Sequence, residues 1–330
     1  MRQVLMRAVV CTALGGPEVL DLERRPDSGP PGPGQVLVRT RAWGVNYVDV
    51  LMCRGGYQLK PDPPFVPGLE GAGDVLAVGE GVEDWQAGDR VITSHRPGAF
   101  QDMHLLPPDK LWPLPQRFDY AEGAAFRSAA MTAYHSLIDR GRLEAGETVL
   151  VHGATGGVGL AAVQLAKALG ATVIATGGNA EKLKTVSAMG ADHVLPATGR
   201  FRDAVKDLTS GKGVNLVYDP IGGDVFDEST RCLAWEGRII VVGFVSGRAA
   251  EAKTNHLLIK GASVIGIRAG EGTRQNPARG AHAQSALLAL AETGAFTPHI
   301  SHRFPLEAAA DAFRAIDARQ VIGKAVLADG

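Results

Sequence analysis

Val149-Leu-Val-His-Gly-Ala-Thr-Gly-Gly-Val-Gly159 begins with three apolar residues and becomes rich in glycine from Gly153 onward. The segment that follows is rich in Ala and Leu, and its residues Ala162, Leu165 and Leu169 continue from Val158 at helical spacing. We therefore predict a buried strand, a glycine turn and a helix, in this order. A glycine turn lets the backbone approach phosphates closely, and the N-terminus of a helix offers them unpaired N–H groups.

The spacing of these glycines is close to G-x-G-x-x-G, the fingerprint of dinucleotide sites. The three fingerprint positions fall on Ala154, Gly156 and Gly159, and Gly157 is an additional glycine. Because loops are often rich in glycine, the glycines alone do not indicate a nucleotide site. Their place between a predicted strand and a predicted helix does. We interpret the pattern as a nucleotide site with Gly156, Gly157 and Val158 in contact with the ligand. A purely structural strand-to-helix turn is the alternative.

The composition is that of a globular protein large enough for two domains. The 330 residues are 45% hydrophobic and 21% charged, and a formal net charge of −1 gives no basic field for nucleic acid or an acidic membrane. The three cysteines are far apart in sequence and form no C-x-x-C pair, which indicates neither a disulfide framework nor a thiolate zinc site. No apolar run approaches the roughly 18 residues of a membrane span, and we expect a cytoplasmic protein.

Two parts of the chain differ in pattern. From Met6 to about Phe118, short β-like runs separated by Gly and Pro predict a small irregular β-barrel with one helix that begins near Asn46. From Thr148 onward, strands and helices alternate. The strand-like runs are 148–151, 172–175, 193–195, 214–219, 238–243 and 263–267. Their β-α-β order predicts a parallel, doubly wound sheet. The last run, Gly323–Leu327, is more like the barrel section, so we expect a discontinuous first domain, 1–125 and 296–330, around a second domain, 126–295.

A series of motifs runs along nearly the whole chain. They are Met6-Arg-Ala-Val-Val10, Gly44-Val-Asn-Tyr-Val-Asp49, Pro67-Gly-Leu-Glu-Gly-Ala-Gly73, Ala87-Gly-Asp-Arg90, Met131-Thr-Ala-Tyr134, the glycine turn, Asp219-Pro-Ile-Gly-Gly223 and Ile322-Gly-Lys324. In this order they resemble the zinc-free quinone oxidoreductase group of medium-chain dehydrogenases/reductases. The resemblance implies an α/β protein with a GroES-like β-barrel catalytic domain, a Rossmann domain with a doubly wound parallel six-stranded sheet, and an active cleft between them. It also implies NADPH as the cofactor and quinones or conjugated carbonyl compounds as substrates.

Zinc-dependent relatives carry zinc ligands at positions where this chain has too few ligating side chains to hold the metal. Their cysteine after Gly44-Val45 is Asn46 here, and their Gly-His-Glu reads Gly68-Leu69-Glu70. Zinc requires three or four thiolate, imidazole or carboxylate ligands, so we predict no metal. Without a Lewis acid, the remaining chemistry is hydride delivery to a carbon that is already electrophilic, as in a quinone or an α,β-unsaturated carbonyl compound.

The region after the second Rossmann strand favours NADPH over NADH. An NAD site usually carries an acid about 20 residues past the turn, but the strand is followed by Gly177-Gly178-Asn179, and Glu181 lies inside the next helix. Gly178 and Asn179 leave room for a 2′-phosphate, and Lys182 matches a lysine that the family uses there. By the same resemblance, Arg319 contacts this phosphate. The alternative is that Lys182 and Arg319 are solvated surface residues.

The resemblance also assigns residues to the other end of the cofactor. Asn46 faces the nicotinamide ribose or the substrate, Thr132 lies under the nicotinamide ring, and backbone groups of Gly243-Phe244-Val245 meet the carboxamide. Tyr57 is the candidate for polarising the substrate oxygen or delivering a proton. The alternative roles are a helix N-cap for Asn46 and packing at the barrel edge for Tyr57.

Three functions fit these residues: an NADPH-dependent quinone or enone reductase, an enoyl thioester (enoyl-CoA-type) reductase, and a non-catalytic NADPH-binding protein. Arg127 and Arg268 are expected at the cleft mouth. There Arg268, in a predicted glycine-rich loop, would attract an acidic substrate or a coenzyme A phosphate, unless it is simply solvated.

The near-neutral charge and the lack of an aromatic-basic platform argue against binding of nucleic acid. The β-branched run 263–267 predicts an exposed sheet edge whose pairing across a two-fold axis would form a homodimer.

Overall fold

The computed structural model describes residues 5–197 and 200–329 and divides the chain into two compact units. Unit 1 comprises Met1–Ser128 and Thr297–Gly330, and unit 2 comprises Ala129–Phe296. Unit 2 is therefore an insertion in the sequence of unit 1. The first division falls a little later than the expected boundary at 125, and both positions lie within the helix Tyr120–Tyr134.

Strands and helices are numbered here in chain order. The strands are β1 (Leu5–Cys11), β2 (Leu20–Pro26), β3 (Val36–Val45), β4 (Glu70–Val78), β5 (Arg90–Ser94), β6 (Met103–Leu106), β7 (Leu111–Pro113), β8 (Thr148–Val151), β9 (Thr172–Gly177), β10 (His193–Pro196), β11 (Val214–Asp219), β12 (Leu233–Val241), β13 (Ser263–Gly266), β14 (Ile300–Phe304) and β15 (Lys324–Ala328). The helices are α1 (Tyr47–Cys53), α2 (Tyr120–Tyr134), α3 (Gly157–Ala168), α4 (Ala180–Ala188), α5 (Phe201–Leu208), α6 (Gly223–Ser229), α7 (Thr254–Lys260), α8 (Ala269–Gln275), α9 (Pro277–Thr293) and α10 (Ala309–Asp317).

Unit 1 is built on a sheet whose strand order is β14-β15-β3-β4-β5-β7, with β6 also paired to β3. Strand β15, the last strand among residues 5–197 and 200–329, pairs antiparallel with β3 and places Ala325 opposite Val45. On its other side, β3 pairs antiparallel with β4 and places Gly44 opposite Glu70. The end of β3 and the starts of β4 and β15 therefore meet at one place.

Unit 2 contains a parallel sheet of six strands in the order β10-β9-β8-β11-β12-β13. This is the Rossmann order, and the predicted doubly wound sheet is confirmed. Helices cover both faces of such a sheet, which explains why Leu150, Val217 and Ile239 are fully buried in runs without polar alternation. The strand order reverses between β8 and β11, where the carboxyl ends of the strands open a crevice for ligands.

The interpretation of 267–272 as a glycine-rich loop is wrong, because α8 begins at Ala269 and Arg268 is its N-cap residue. Gly272 serves close packing in this helix, since an added Cβ would lie 2.6 Å from the imidazole ring of His135. None of the helices in residues 5–197 and 200–329 combines the length and the apolar character that a membrane crossing demands.

Candidate active site

The glycine turn lies at the carboxyl end of β8, beside the reversal of strand order. Gly153 has a φ of 58°, which lies in the left-handed region that favours glycine. The sharp turn therefore falls at Gly153, one residue before Ala154, the first fingerprint position. Gly159 packs against this turn, because an added Cβ would lie 2.3 Å from the carbonyl oxygen of Gly153. Gly156 is exposed and caps α3, so the first N–H groups of the helix are available to an anionic ligand. This cradle fits the pyrophosphate of a dinucleotide.

His152 fixes the position of the turn. Its buried ring places Nδ1 2.8 Å from Oγ1 of Thr176 and Nε2 2.8 Å from Oγ of Ser229. The Ser229 hydroxyl already donates to the carbonyl of Val225, so Nε2 carries the imidazole proton and Nδ1 accepts from Thr176. Burial lowers the pKa of His152 to about 3, and the ring is therefore neutral near pH 7. These bonds tie β8 to β9 and α6.

The end of β9 carries the residues predicted for the 2′-phosphate. Asn179 is the N-cap of α4, and its Oδ1 accepts the backbone N–H of Lys182 at 3.1 Å. Lys182 is half-buried, and desolvation lowers its pKa. Glu181 is exposed and pairs with Lys184 at 2.7 Å. The region thus combines a desolvated ammonium with a strand tip that carries no acid.

The loop after β12 is anchored to the turn after β11. The backbone N–H of Val245 donates to the carbonyl of Pro220 at 3.1 Å, which holds Gly243-Phe244-Val245 beside the carboxyl end of β11. Asp219 shapes the turn, since its Oδ1 accepts two backbone N–H groups at 2.8 and 3.0 Å. Burial raises the pKa of Asp219.

In unit 1, Asn46, Glu70 and Lys324 form a buried hydrogen-bonded group, called here the Asn46 cluster. Nζ of Lys324 lies 2.6 Å from Oδ1 of Asn46 and 2.9 Å from Oε1 of Glu70. Nδ2 of Asn46 donates to the same Glu70 oxygen at 3.0 Å, and Oε2 of Glu70 accepts the backbone N–H of Ser128 at 2.7 Å. Glu70 is 1% exposed and Lys324 5% exposed, so both charges lie out of water.

Asp49 lies beneath this cluster on α1. Its Oδ2 accepts the backbone N–H of Asn46 at 2.8 Å, which makes Asn46 a helix-capping position as well. Its Oδ1 is buried and has no hydrogen-bond partner among residues 5–197 and 200–329. Burial raises the pKa of Asp49 to about 7, and the neighbouring Glu70 adds to the shift while Lys324 opposes it.

The remaining predicted residues belong to other elements of the two units. Tyr57 lies in the bend after α1 and is half-buried, and Arg319 follows α10 with a φ of 54°. Thr132 lies on α2 in unit 2, where its carbonyl accepts the Ser136 hydroxyl at 2.7 Å.

Neither arginine expected at the cleft mouth is a simple free cation. The guanidinium of Arg127 lies 4.8 Å from the ring centre of Trp112, and desolvation lowers its pKa. The guanidinium of Arg268 lies 3.9 Å from the carboxylate of Glu271, which also pairs with Arg274 at 2.5 Å.

The donors in unit 1 do not fit a zinc ion. Within the part of the chain that the structure describes, no three His, Cys, Asp or Glu side chains are arranged to hold a metal. Glu70 stands where a zinc-dependent relative would offer a carboxylate, but its Oε1 already binds the Lys324 ammonium. A divalent cation there would face a buried positive charge at close range.

Sequence reasoning did not identify Glu70 and Lys324 as parts of the site. Each is an ionisable residue next to an apolar strand, Lys324 before Ala325-Val-Leu327 and Glu70 before Gly71-Ala-Gly73. Buried ionisable residues are nearly always paired, so two such residues of opposite charge are a usable signal.

Two families of known proteins match this chain. Residues 32–116 match the family described as alcohol dehydrogenase GroES-like domain, and residues 157–284 match the family described as zinc-binding dehydrogenase. The first match lies in unit 1 and the second in unit 2.

Individual relatives match over nearly the whole length. Quinone oxidoreductase-like protein 2 of the mouse is 39% identical over 323 residues, which are 97% of this chain and 91% of that protein. Human quinone oxidoreductase is 37% identical over 314 residues, 94% of this chain and 93% of the relative. The solved structure of a mycobacterial protein complexed with NADPH has a TM-score of 0.89 at 32% identity, and covers 98% of this chain and 100% of that one.

Proposed function

Because this chain belongs to the quinone oxidoreductase-type group of medium-chain dehydrogenases/reductases, we propose that it transfers hydride from NADPH to quinones or other α,β-unsaturated carbonyl compounds without zinc. The chain is an oxidoreductase with a GroES-like domain and a Rossmann domain. The main support for the proposal is the glycine cradle at the reversal of strand order, followed by a β9 tip without an acid. When bound, NADPH supplies the hydride, and the protein supplies binding, orientation and hydrogen-bond donors.

In unit 2, the start of α3 at Gly156, Gly157 and Val158 would hold the pyrophosphate through backbone N–H groups. Lys182 would hold the 2′-phosphate, since an anionic partner offsets the desolvation that lowers its pKa. Gly178 and Asn179 would border this phosphate, and Arg319 would add a second cation. The mycobacterial neighbour complexed with NADPH supports the choice of cofactor.

At the reacting end, Asn46 would donate a hydrogen bond to the nicotinamide ribose or to the substrate. Thr132 would lie against the nicotinamide ring, and backbone groups of Gly243-Phe244-Val245 would bind its carboxamide. Tyr57 would donate from its phenol to the substrate oxygen as negative charge develops there. Because Oε1 of Glu70 already binds the Lys324 ammonium, we assign no Lewis acid to this site and expect the substrate to be activated by its own conjugation.

Loss of NADPH absorbance in the presence of four acceptors tests this proposal. We expect consumption with 1,4-benzoquinone, 9,10-phenanthrenequinone or an enone, unchanged by a chelator. A protein that uses crotonyl-CoA alone would be an enoyl thioester reductase, and one that binds NADPH but uses no acceptor would be non-catalytic. Failure to bind NADPH refutes the proposal outright. Tyr57→Phe should lower kcat by about 10-fold to 100-fold, with little change in NADPH binding.

We also propose a homodimer formed along β13. This strand ends the sheet of unit 2, and the exposed apolar side chains Trp235, Leu258 and Ile259 lie on the neighbouring elements β12 and α7, 68%, 81% and 68% exposed. An edge strand flanked by apolar side chains is suited to pair with a second copy across a two-fold axis. Light scattering after size exclusion should give twice the mass of one chain, and Leu258→Asp should reduce it. A wild-type monomer contradicts the proposal.

For the location in the cell we propose the cytoplasm. Cys11, Cys53 and Cys232 are buried free thiols, and burial raises the pKa of all three. Free thiols are typical of reducing compartments. Cell fractionation followed by immunoblotting should find the protein in the soluble fraction, and recovery with membranes contradicts this.

A further inference from the structure

The Asn46 cluster contains two buried charges to which the proposed hydride transfer assigns no role. Glu70 and Lys324 are almost completely enclosed, and they bond to each other and to the carboxamide of Asn46. A buried ion pair seldom gains stability over apolar residues of the same volume, because both ions lose their hydration. A role in the reaction is therefore a better account of this pair than stability alone.

The two ions fix the orientation of the Asn46 carboxamide. Its oxygen can only accept hydrogen bonds and its nitrogen can only donate them. The oxygen accepts from the Lys324 ammonium at 2.6 Å, and the nitrogen donates to the Glu70 carboxylate at 3.0 Å. Rotating the carboxamide by half a turn would set its NH2 group against the ammonium and its oxygen against the carboxylate. Both contacts would then be repulsive, so only one orientation is stable.

This orientation leaves one N–H of the carboxamide for a ligand. The nitrogen carries two hydrogens, and the bond to Glu70 uses one of them. Asn46 is half-buried, whereas Glu70 and Lys324 are enclosed. The ammonium also withdraws electron density through the carbonyl oxygen and thereby strengthens the N–H groups as donors, as in any polarised chain of hydrogen bonds.

We propose that Lys324 is a positioning residue that, together with Glu70, holds and polarises the Asn46 carboxamide so that its second N–H binds an oxygen of the reacting complex. The proposal rests on the proposed function and deepens it. The acceptor is either a hydroxyl of the nicotinamide ribose or the carbonyl oxygen of the substrate, and both present the same chemistry to an N–H donor. Lys324 itself touches neither.

A double-mutant cycle between Lys324 and Asn46 tests this relation. Asn46→Ala and Lys324→Met should each reduce activity about 10-fold to 100-fold, which is the effect of one lost hydrogen bond to a charged or developing oxygen. Because Lys324 acts through Asn46, the double variant should be no slower than Asn46→Ala. Losses that multiply would show that Lys324 acts by another route, and would overturn the proposal. A higher Kd for NADPH at constant kcat identifies the ribose, and a lower kcat at constant Kd identifies the substrate oxygen.

Lys324→Met leaves Glu70 as an unpaired buried charge and can prevent folding. The cycle is then run in a Glu70→Gln background, in which Lys324→Met leaves no charge buried in the cluster; where Lys324 is kept, its ammonium can still donate to the carboxamide oxygens at positions 46 and 70. The same expectation holds there: removing Lys324 should have no effect once Asn46 is alanine.

A measurement without substrate separates this proposal from the proposed function. In protein labelled with ¹⁵N-asparagine, the side-chain NH2 signals that disappear in Asn46→Ala belong to Asn46. Hydrogen exchange of the N–H that bonds to Glu70 should be slow in the wild type and about 10-fold faster or more in Lys324→Met, where the carboxamide can rotate. Equal exchange in both proteins overturns the proposal even if the enzyme is active. If the wild type uses no acceptor, the proposed function is refuted. The exchange measurement still shows whether Lys324 holds the Asn46 carboxamide in one orientation.

Discussion

Replacing Asp49 by Asn should stabilise the protein more at pH 8 than at pH 5. Burial raises the pKa of Asp49 from 3.8 to about 7. Between these values the folded protein holds a proton on Asp49 that the unfolded chain has lost, so the free energy of unfolding falls as the pH rises. Asparagine has the shape of the protonated acid, keeps an oxygen to accept the backbone N–H of Asn46, and does not ionise.

The size of the effect follows from the two pKa values. With 1.36 kcal/mol for each pKa unit, the raised pKa of Asp49 lowers the free energy of unfolding by about 4 kcal/mol at pH 8 and by about 1.6 kcal/mol at pH 5. The advantage of Asp49→Asn should therefore grow by about 2.5 kcal/mol between these two pH values. Urea unfolding followed by the fluorescence of Trp43 and Trp112, both buried in unit 1, measures it. Asp84→Asn makes the same change at an exposed carboxylate and should alter stability by less than about 0.5 kcal/mol at either pH. A difference between Asp49→Asn and the wild type that is equal at both pH values refutes the reasoning.

Three further predictions concern unit 2. Lys182→Ala should raise the Kd for NADPH about 10-fold to 100-fold and that for NADH much less, and titration showing equal losses contradicts the 2′-phosphate assignment. Gly159→Ala should lower the melting temperature and weaken NADPH binding because its Cβ would overlap a backbone oxygen at 2.3 Å; Gly270→Ala, whose Cβ would lie 3.6 Å from a flexible arginine, is the control for both readouts. Burial lowers the pKa of His152 from 6.5 to about 3, so the folded state binds fewer protons than the unfolded chain between these values and stability falls on acidification. His152→Asn should remove about 3 kcal/mol of the stability change between pH 7 and pH 4, and an unchanged pH dependence of urea unfolding contradicts this.

The fold of unit 2 could be predicted because its signals are local. Buried parallel strands appear as short apolar runs, and the strand–turn–helix order around Gly156 and Gly159 identifies the first of them. The signals failed where a residue serves a contact distant in sequence. The glycines around Gly272 predict a loop, but the missing side chain of Gly272 makes room for His135 in a helix. Strand β2 has only a weak sequence signal, because four of its seven residues are charged and exposed or half-buried, and only β1 pairs with it among the described strands.

In the candidate site, too, the features formed by neighbouring residues could be predicted, and those formed by residues distant in sequence could not. The glycine turn and the β9 tip can be identified from neighbouring residues, although the fingerprint placed the turn glycine at Ala154 and the structure places it at Gly153. The Asn46 cluster joins residues 46, 70 and 324, which meet only through the register of β3 with β4 and β15. Hydrophobic periodicity carries no information about register between distant strands. The raised pKa of Asp49 likewise depends on burial that no local pattern reveals.

Strand β15 is translated after every other described strand of unit 1, and this determines the order in which the two units can fold during synthesis. Unit 2 is complete in sequence by Phe296, but the sheet of unit 1 lacks the strand between β14 and β3 until β15 has been translated. A domain folds as a unit once its chain has left the exit tunnel, so the nucleotide-binding half can fold during synthesis while the other half must wait. Throughout that interval Glu70 has no Lys324 to pair with. Lys324 is thus the last residue of the Asn46 cluster to be translated, and a nascent chain that stops short of it cannot assemble the cluster.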